Sequence, residues 1–319
     1  MNTVRPCGCK GCRTCLLCEK EFNILDKPSY CKLFQELESF VYCPECNKIY
    51  PGWDVELVCS AHPDHCSTST DEAIDFPGIL VMPNFLSAKE GVDVLRNLDE
   101  VPWQASQSGR RKQNFGPKTN FKKKKIHNGD FNGFPAFSRF IQERFEGVPL
   151  LSGFQTIEQC TLEYSADKGA SIDPHIDDCW VWGERIVTVN CLGDSVLTLS
   201  PYSNVDRKKY NCDLVDEYKD SLISELASNE TLERFSRSVI RIPMPNLSLI
   251  VLYGPPRYQF EHAVLREDIK ERRVCIAYRE FTPNYLRGGC EEEKGNEVLA
   301  KAQNFWDHTK LPIAAVDAV

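Results

Sequence analysis

His175 and Asp177 stand two residues apart in the stretch Asp173-Pro174-His175-Ile176-Asp177-Asp178. In an extended strand that spacing puts both side chains on one face and Ile176 on the other. An imidazole nitrogen and a carboxylate oxygen can then meet one metal ion. Two histidines and a carboxylate on one side of a metal, with the other positions open, suit non-haem Fe(II) in an oxygenase. His262, after further strand-like sequence, is the candidate for the missing histidine. H-x-D alone is a weak signal, because Asp173, Pro174 and Asp178 are turn residues and read equally well as a surface turn.

A second group strengthens the first. The segment Arg273-Val-Cys-Ile-Ala-Tyr-Arg279 reads as a strand, with positions 273, 275, 277 and 279 on one face. Two guanidinium groups on an inward face are costly unless an anion meets them. A dicarboxylate offers that pairing, and arginine binds carboxylates bidentately. The alternative is an outward face with both arginines solvated. The order His175, Asp177, His262, Arg273, Arg279 favours the inward one.

Sixteen cysteines are present, ten of them within the first 66 residues. Cys7-x-Cys9 and Cys15-x2-Cys18 come first, with Cys12 between them. Cys43-x2-Cys46 follows, then Cys59, His62, His65 and Cys66. Paired knuckles of this kind wrap thiolates onto a tetrahedral zinc ion. Cys7, Cys9, Cys15 and Cys18 are candidates for one site, and Cys43, Cys46, Cys59 and Cys66 for another. Free or redox-active thiols are the alternative for the first set. Spacing does not say which residue completes either site. Most of the six later cysteines read as small buried apolar residues.

The net charge of −8 argues against a chain-wide nucleic-acid-binding surface, so such binding must be local. The local candidate is 103–128, where Arg110, Arg111, Lys112, Lys118, Lys122, Lys123, Lys124 and Lys125 are interleaved with Phe115 and Phe121. This stretch is either a solvated loop or a mobile cover that contacts an acidic partner. No apolar run is long enough to span a bilayer, and no secretory signal is visible at the N-terminus. We expect an intracellular protein, cytoplasmic and nuclear.

The elements that must position these residues are mostly strands. Residues 1–66 form the Cys-rich segment and 67–75 a polar linker. A short strand is expected over 76–82. A capping box at Ser87 and Glu90 starts a helix running through Leu98. Another helix is expected over 136–146. Alternating strand patterns follow near 158–164, 186–191, 196–199, 239–243, 247–253 and 272–280. Residues 201–236 read as an insertion with a helix near 214–226. A helix near 296–306 and a tail after Pro312 complete the chain. We expect an α+β protein with a mainly β, jelly-roll or cupin-like core over 67–290, and a C-terminal helix and tail over 291–319.

H-x-D, a distal histidine and then R-x5-R is the order found in the AlkB family of 2-oxoglutarate/Fe(II) dioxygenases. The sequence resembles that family further at Cys7-Gly-Cys-Lys-Gly, at Ser108-Gly-Arg-Arg-Lys-Gln-Asn-Phe-Gly-Pro-Lys and at His175-Ile-Asp-Asp-Cys-Trp-Val-Trp-Gly-Glu-Arg. The resemblance implies a double-stranded β-helix with iron held by His175, Asp177 and His262. It implies that Arg273 pairs with the distal carboxylate of 2-oxoglutarate, that Arg279 lies near the carboxylate at the metal, and that Tyr164 touches the cosubstrate. Where the family often has Asn two residues before that Tyr, this chain has Leu162. Residues 103–128 would be the substrate lid, with Arg110, Arg111, Lys112, Phe115 and Lys118 as contacts. The implied reaction is oxidative N-demethylation releasing formaldehyde, succinate and CO2. The implied substrates are monomethyl-lysine in actin, N6-methyladenine in DNA, or both. Two rival readings are a zinc-dependent binding scaffold with a non-catalytic barrel, and a protein hydroxylase.

Overall fold

The computed structural model describes residues 4–24, 29–61, 73–202 and 207–307. Two seven-stranded sheets face each other, with strands numbered in chain order. The larger runs β4 (Ile79–Met82), β15 (Leu249–Leu252), β12 (Trp182–Leu192), β17 (Arg273–Phe281), β10 (Glu158–Tyr164), β6 (Arg111–Phe115), β5 (Gln104–Ala105). The smaller runs β11 (Ile172–His175), β16 (Phe260–Val264), β13 (Ser195–Pro201), β14 (Ser238–Met244), β1 (Glu38–Cys43), β2 (Lys48–Pro51), β3 (Ile74–Asp75). A hairpin of β7 (Lys118–Asn120) and β8 (Lys125–His127) stands apart from both, as does a pair of β9 (Phe134–Pro135) and β18 (Phe305–Trp306). The architecture is the mainly β, double-stranded β-helix type expected.

The two central strands of the larger sheet are buried on both faces, which explains their near-continuous apolar sequence. Ile186, Cys275 and Phe281 point between the sheets and join Leu197, Leu199, Ile240 and Ile242. Val187, Val189, Val274, Ile276 and Tyr278 point outward and pack under Val94, Leu98, Ile141 and Phe145. The last four lie on helices α4 (Ala88–Glu100) and α5 (Arg139–Phe145). α4 starts at the expected capping box: Ser87 accepts from the Glu90 amide, and Glu90 accepts from the Ser87 amide at 2.8 Å. α5 follows a 3-10 turn at Ala136–Ser138, matching the second expected helix.

Four expectations need correction. The β core does not begin at 67: β1, within the Cys-rich segment, pairs in parallel with β14, and Phe40, Tyr42 and Ile49 enter the main core. The reason is that Phe40, Val41, Tyr42 and Cys43 form a continuous buried run, the pattern of a strand covered on both faces. The 103–128 segment is not a single mobile loop. β6 is bonded along β10, from Glu163↔Arg111 to Gln159↔Phe115, and 118–127 is a hairpin. The helix expected near 214–226 is replaced by 3-10 turns at Cys212–Glu217 and Lys219–Ser221, with a short helix, α6 (Asn229–Arg234), beyond them. The C-terminal helix, α8 (Glu292–Ala302), ends before Phe305 and Trp306, which form β18 instead. The remaining helices are α1 (Leu16–Glu21), α2 (Tyr30–Gln35), α3 (Val55–Ser60) and α7 (Gly254–Tyr258). Most of the linker and the C-terminal tail lie outside the described residues. Among the described residues no helix is long and apolar enough to cross a membrane.

Candidate active site

The register of β11 against β16 sets His175 directly opposite His262. Cross-strand neighbours on one face are within side-chain contact, and here the two imidazole centroids are 4.2 Å apart. Asp177 lies just past the end of β11. Its Oδ1 is 3.9 Å from His175 Nε2. The ligating atoms of His175, Asp177 and His262 all fall within 4.8 Å of one another.

The groups around the triad prepare it for a cation. His175 Nδ1 is 2.9 Å from the Asp173 carbonyl, which places the proton on Nδ1 and leaves Nε2 as a free lone pair. Burial lowers the pKa of His175, with Asp177 acting the other way. Burial, then His175, takes His262 down to about 3, so both rings are neutral at physiological pH. Burial alone would raise Asp177, but Arg279 and then His262 hold it well below the usual carboxylate range. Arg257 on α7 is 1% exposed and fixes the loop from behind. It donates to the carbonyls of Asp177 at 2.7 Å, Trp182 at 2.9 Å and Gly183 at 3.0 Å. A buried guanidinium satisfied by three carbonyls is a brace, and H-x-D spacing gives no hint of it.

Both arginines of β17 face inward. Arg273 is 2% exposed. Its Nε donates to Asn190 Oδ1 at 3.0 Å, and its Cζ lies 4.8 Å from the Tyr164 ring centroid. Nη1 has no partner among the described residues, nor does the buried Nδ1 of His262. A buried guanidinium without a carboxylate and a buried ring nitrogen without a partner are what a site for a metal and an acid leaves behind. Arg279 donates to both oxygens of Asp177 and, through Nη1, to Glu158. Asn190, fully buried, is held by the carbonyls of Gly193, Met244 and Pro245. Asn190 and Glu158 were missed in the sequence because nothing local marks them: each acts through a strand neighbour. Leu162 packs against the inter-sheet core.

The lid residues separate. Arg110 reaches over the Tyr164 ring, its Cζ 5.9 Å from the centroid. Lys112 shares a face with Leu162, its partner in β10. Arg111 turns to the other face, where it pairs with Glu163 and stacks on Trp103. Phe115 packs on Trp306 at 5.6 Å. Lys118 is exposed at the start of the β7–β8 hairpin. The structure therefore does not bring Arg111 and Phe115 to the site.

The thiols of Cys7, Cys9, Cys15 and Cys18 converge within 4.8 Å of one another. Cys59 lies beside the Cys43-x2-Cys46 knuckle, whose charges would raise its pKa further after burial. Cys66, with His62 and His65, lies outside the described residues.

With this geometry in view, the relatives are informative. The chain is 38% identical to mouse (Mus musculus) "Alpha-ketoglutarate-dependent dioxygenase alkB homolog 4" over 96% of each chain, and 36% identical to the human (Homo sapiens) protein of that name over 95% of each. The chain belongs to the AlkB family of 2-oxoglutarate/Fe(II) dioxygenases. It is also 32% identical to a Caenorhabditis elegans "DNA N6-methyl adenine demethylase", over 94% of this chain and 95% of that one. No family model matches the sequence. A solved 2OG-Fe(II) oxygenase family structure from Burkholderia pseudomallei is 12% identical with a TM-score of 0.38, covering 67% of this chain and 87% of that one. As an AlkB-family dioxygenase, the chain uses Fe(II) and 2-oxoglutarate, and the donor set just described fits both.

Proposed function

We propose that this dioxygenase removes N-methyl groups oxidatively, and that its substrate is N6-methyladenine in DNA. The observation that carries the reaction is the convergence of three metal-ready groups, His175, Asp177 and His262, held by Arg279 of β17, while the same face of β17 carries the buried guanidinium of Arg273, whose Nη1 has no partner among the described residues. Fe(II) bound by these three would supply the oxidising chemistry, with 2-oxoglutarate and O2 consumed and succinate, CO2 and formaldehyde released.

The chain's own residues do the rest. Arg273, oriented by Asn190 and lying over Tyr164, takes the distal carboxylate of 2-oxoglutarate in a dry pocket. Arg279 fixes the rotamer of Asp177 and keeps it ionised. The Asp173 carbonyl keeps the His175 proton away from the metal side. The β7–β8 hairpin leans on the H-x-D loop, with Phe121 edge-on to Trp180 at 6.3 Å. It presents exposed Lys118, Lys122, Lys123, Lys124 and Lys125 beside that half-exposed aromatic. Cations alternating with an aromatic suit a phosphate backbone and an unstacked base. The thiol cluster at Cys7, Cys9, Cys15 and Cys18 is read as holding zinc, apart from the reaction.

The test is formaldehyde release from a methylated single-stranded oligonucleotide, compared with monomethyl-lysine actin, using purified protein, Fe(II), ascorbate and 2-oxoglutarate. Formaldehyde from the oligonucleotide, abolished in His175→Ala, is the expected result. Release from actin alone would move the substrate to methyl-lysine. Equal succinate from wild type and His175→Ala would end the enzyme reading for this site.

A further inference from the structure

The four-cysteine cluster touches the turn that carries Arg110. Cys9, Cys15 and Cys18 are 0%, 0% and 1% exposed and pack on one another, with Cys7 against them. The Cys15 amide donates to Cys18 Sγ at 3.3 Å, and the Gly109 amide donates to Cys9. Burial pushes the Cys9 and Cys18 thiols up while these amides act the other way, and four converging sulfurs are the donor set of a closed tetrahedral structural site.

Around this cluster two sets of ties run outward. On one side, Glu19 of α1 receives Arg266 at 2.9 and 2.8 Å, and Arg266 Nε donates to the Gly169 carbonyl, so the knuckle is fastened to the barrel. On the other side it grips the turn between β5 and β6. Arg13, between the two cysteine pairs, donates to Gln107 Oε1 at 2.7 Å. Gly109 lies so close that a Cβ there would stand 3.1 Å from Cys15 Cβ, and its φ of +77° is left-handed. Gly8 abuts the same turn: a Cβ on it would stand 2.9 Å from Ala105 Cβ and the Ser106 backbone. The Gln107 carbonyl in turn accepts Arg110 Nε at 3.2 Å. Arg110 ends over Tyr164, the ring that also lies under Arg273.

We infer that Cys7, Cys9, Cys15 and Cys18 hold one zinc ion whose task is to fix the Gln107–Arg110 turn, so that Arg110 closes the cosubstrate pocket as its second guanidinium. This rests on the zinc and cosubstrate readings above. Arg110 is the binding residue, and the zinc knuckle positions it. Loss of the metal, or oxidation of its thiols, releases the turn and weakens 2-oxoglutarate binding while leaving iron ligation in place.

The test uses the full chain. Zinc is measured by elemental analysis. 2-Oxoglutarate affinity is read anaerobically, with Fe(II), from the charge-transfer absorbance of the iron chelate. Cys15→Ser should lose one zinc equivalent relative to wild type and bind 2-oxoglutarate about tenfold more weakly, as should Arg110→Ala with its zinc intact. Combined, the two changes should cost no more than either alone, because they break one linkage. Should Cys15→Ser fail to fold, Arg13→Ala and Gly109→Ala decide, since both keep all four thiols. Each should retain zinc and weaken 2-oxoglutarate. A folded Cys15→Ser protein with unchanged zinc would overturn the metal site. Zinc loss with unchanged 2-oxoglutarate affinity, or fully additive effects, would overturn the linkage. A wild-type protein that does not bind 2-oxoglutarate would instead remove the pocket on which it rests.

Discussion

Arg279 lies along the carboxylate of Asp177, with Nε 3.1 Å from Oδ2 and Nη2 3.1 Å from Oδ1. The pair is almost buried, and the same guanidinium holds Glu158 through Nη1. The arginine thus sets both the angle and the ionisation of the carboxylate proposed as an iron ligand. Arg279→Lys keeps the charge and loses the fork. We expect Fe(II) affinity to fall about 10- to 100-fold, as for other partners that orient a metal ligand. A titration of activity, or of the charge-transfer absorbance, with Fe(II) measures this. An unchanged titration would show that Asp177 is oriented by something else.

Arg273 behaves differently, because nothing anionic faces it. Its hydrogen bonds go to Asn190 Oδ1 and Met244 Sδ, and it lies over the Tyr164 ring. Removing a buried charge that lacks a counter-ion relieves a desolvation cost. Arg273→Leu should therefore keep or raise the Tm of the protein measured without 2-oxoglutarate. It should weaken 2-oxoglutarate binding by at least about tenfold. Differential scanning calorimetry with and without cosubstrate separates the two effects; a large drop in the ligand-free Tm would mean the arginine is structural.

The metal-free protein should be acid-sensitive through its histidines. His262 has an ordinary value of 6.5 and is taken down to about 3 by burial and by His175. Between those values the unfolded chain carries the extra proton, so acid favours unfolding. The stability is fully present above the unfolded pKa and is lost as pH falls toward the folded one. About 2 kcal/mol should disappear between pH 6.5 and pH 5. Tm against pH for wild type and His262→Gln checks this: the variant's curve should be flatter in that window.

The β7–β8 hairpin predicts a salt signature. Replacing Lys122, Lys123, Lys124 and Lys125 by alanine should weaken binding to single-stranded DNA and flatten log K against log salt by up to about 3. The KM for 2-oxoglutarate should not move, since the hairpin tip touches the H-x-D loop at Trp180 rather than Arg273. An unchanged salt slope would take DNA off this surface.

Much of the site was readable before any coordinates, because strand period is a strong constraint. Two-residue spacing placed His175 beside Asp177, a six-residue step placed Arg273 and Arg279 on one face of β17, and Arg279 reaches Asp177. The capping box at Ser87 was readable for the same reason, being a local pattern. What stayed hidden depends on register between distant strands. Arg111 and Phe115 carry the right chemistry for a lid, but pairing with β10 turns them to the opposite face from Lys112. Arg257, Asn190 and Glu158 sit in unremarkable sequence and matter only through carbonyls or side chains far along the chain. The turns at 212–221 were mistaken for helix because apolar residues recur there without the propensity to carry a continuous one.

The parallel pairing of β1 with β14 sets where the chain can be cut. Ser39 lies against Val239, two hundred positions later, and β2 and β3 build outward from that seam. A fragment begun at residue 67 would bare the backbone of β14 from Ser238 to Arg241. It would also open the apolar interior where Phe40, Tyr42 and Ile49 now sit. Such a fragment would hold every candidate iron and cosubstrate residue named above and still expose a strand edge and an apolar face that invite self-association.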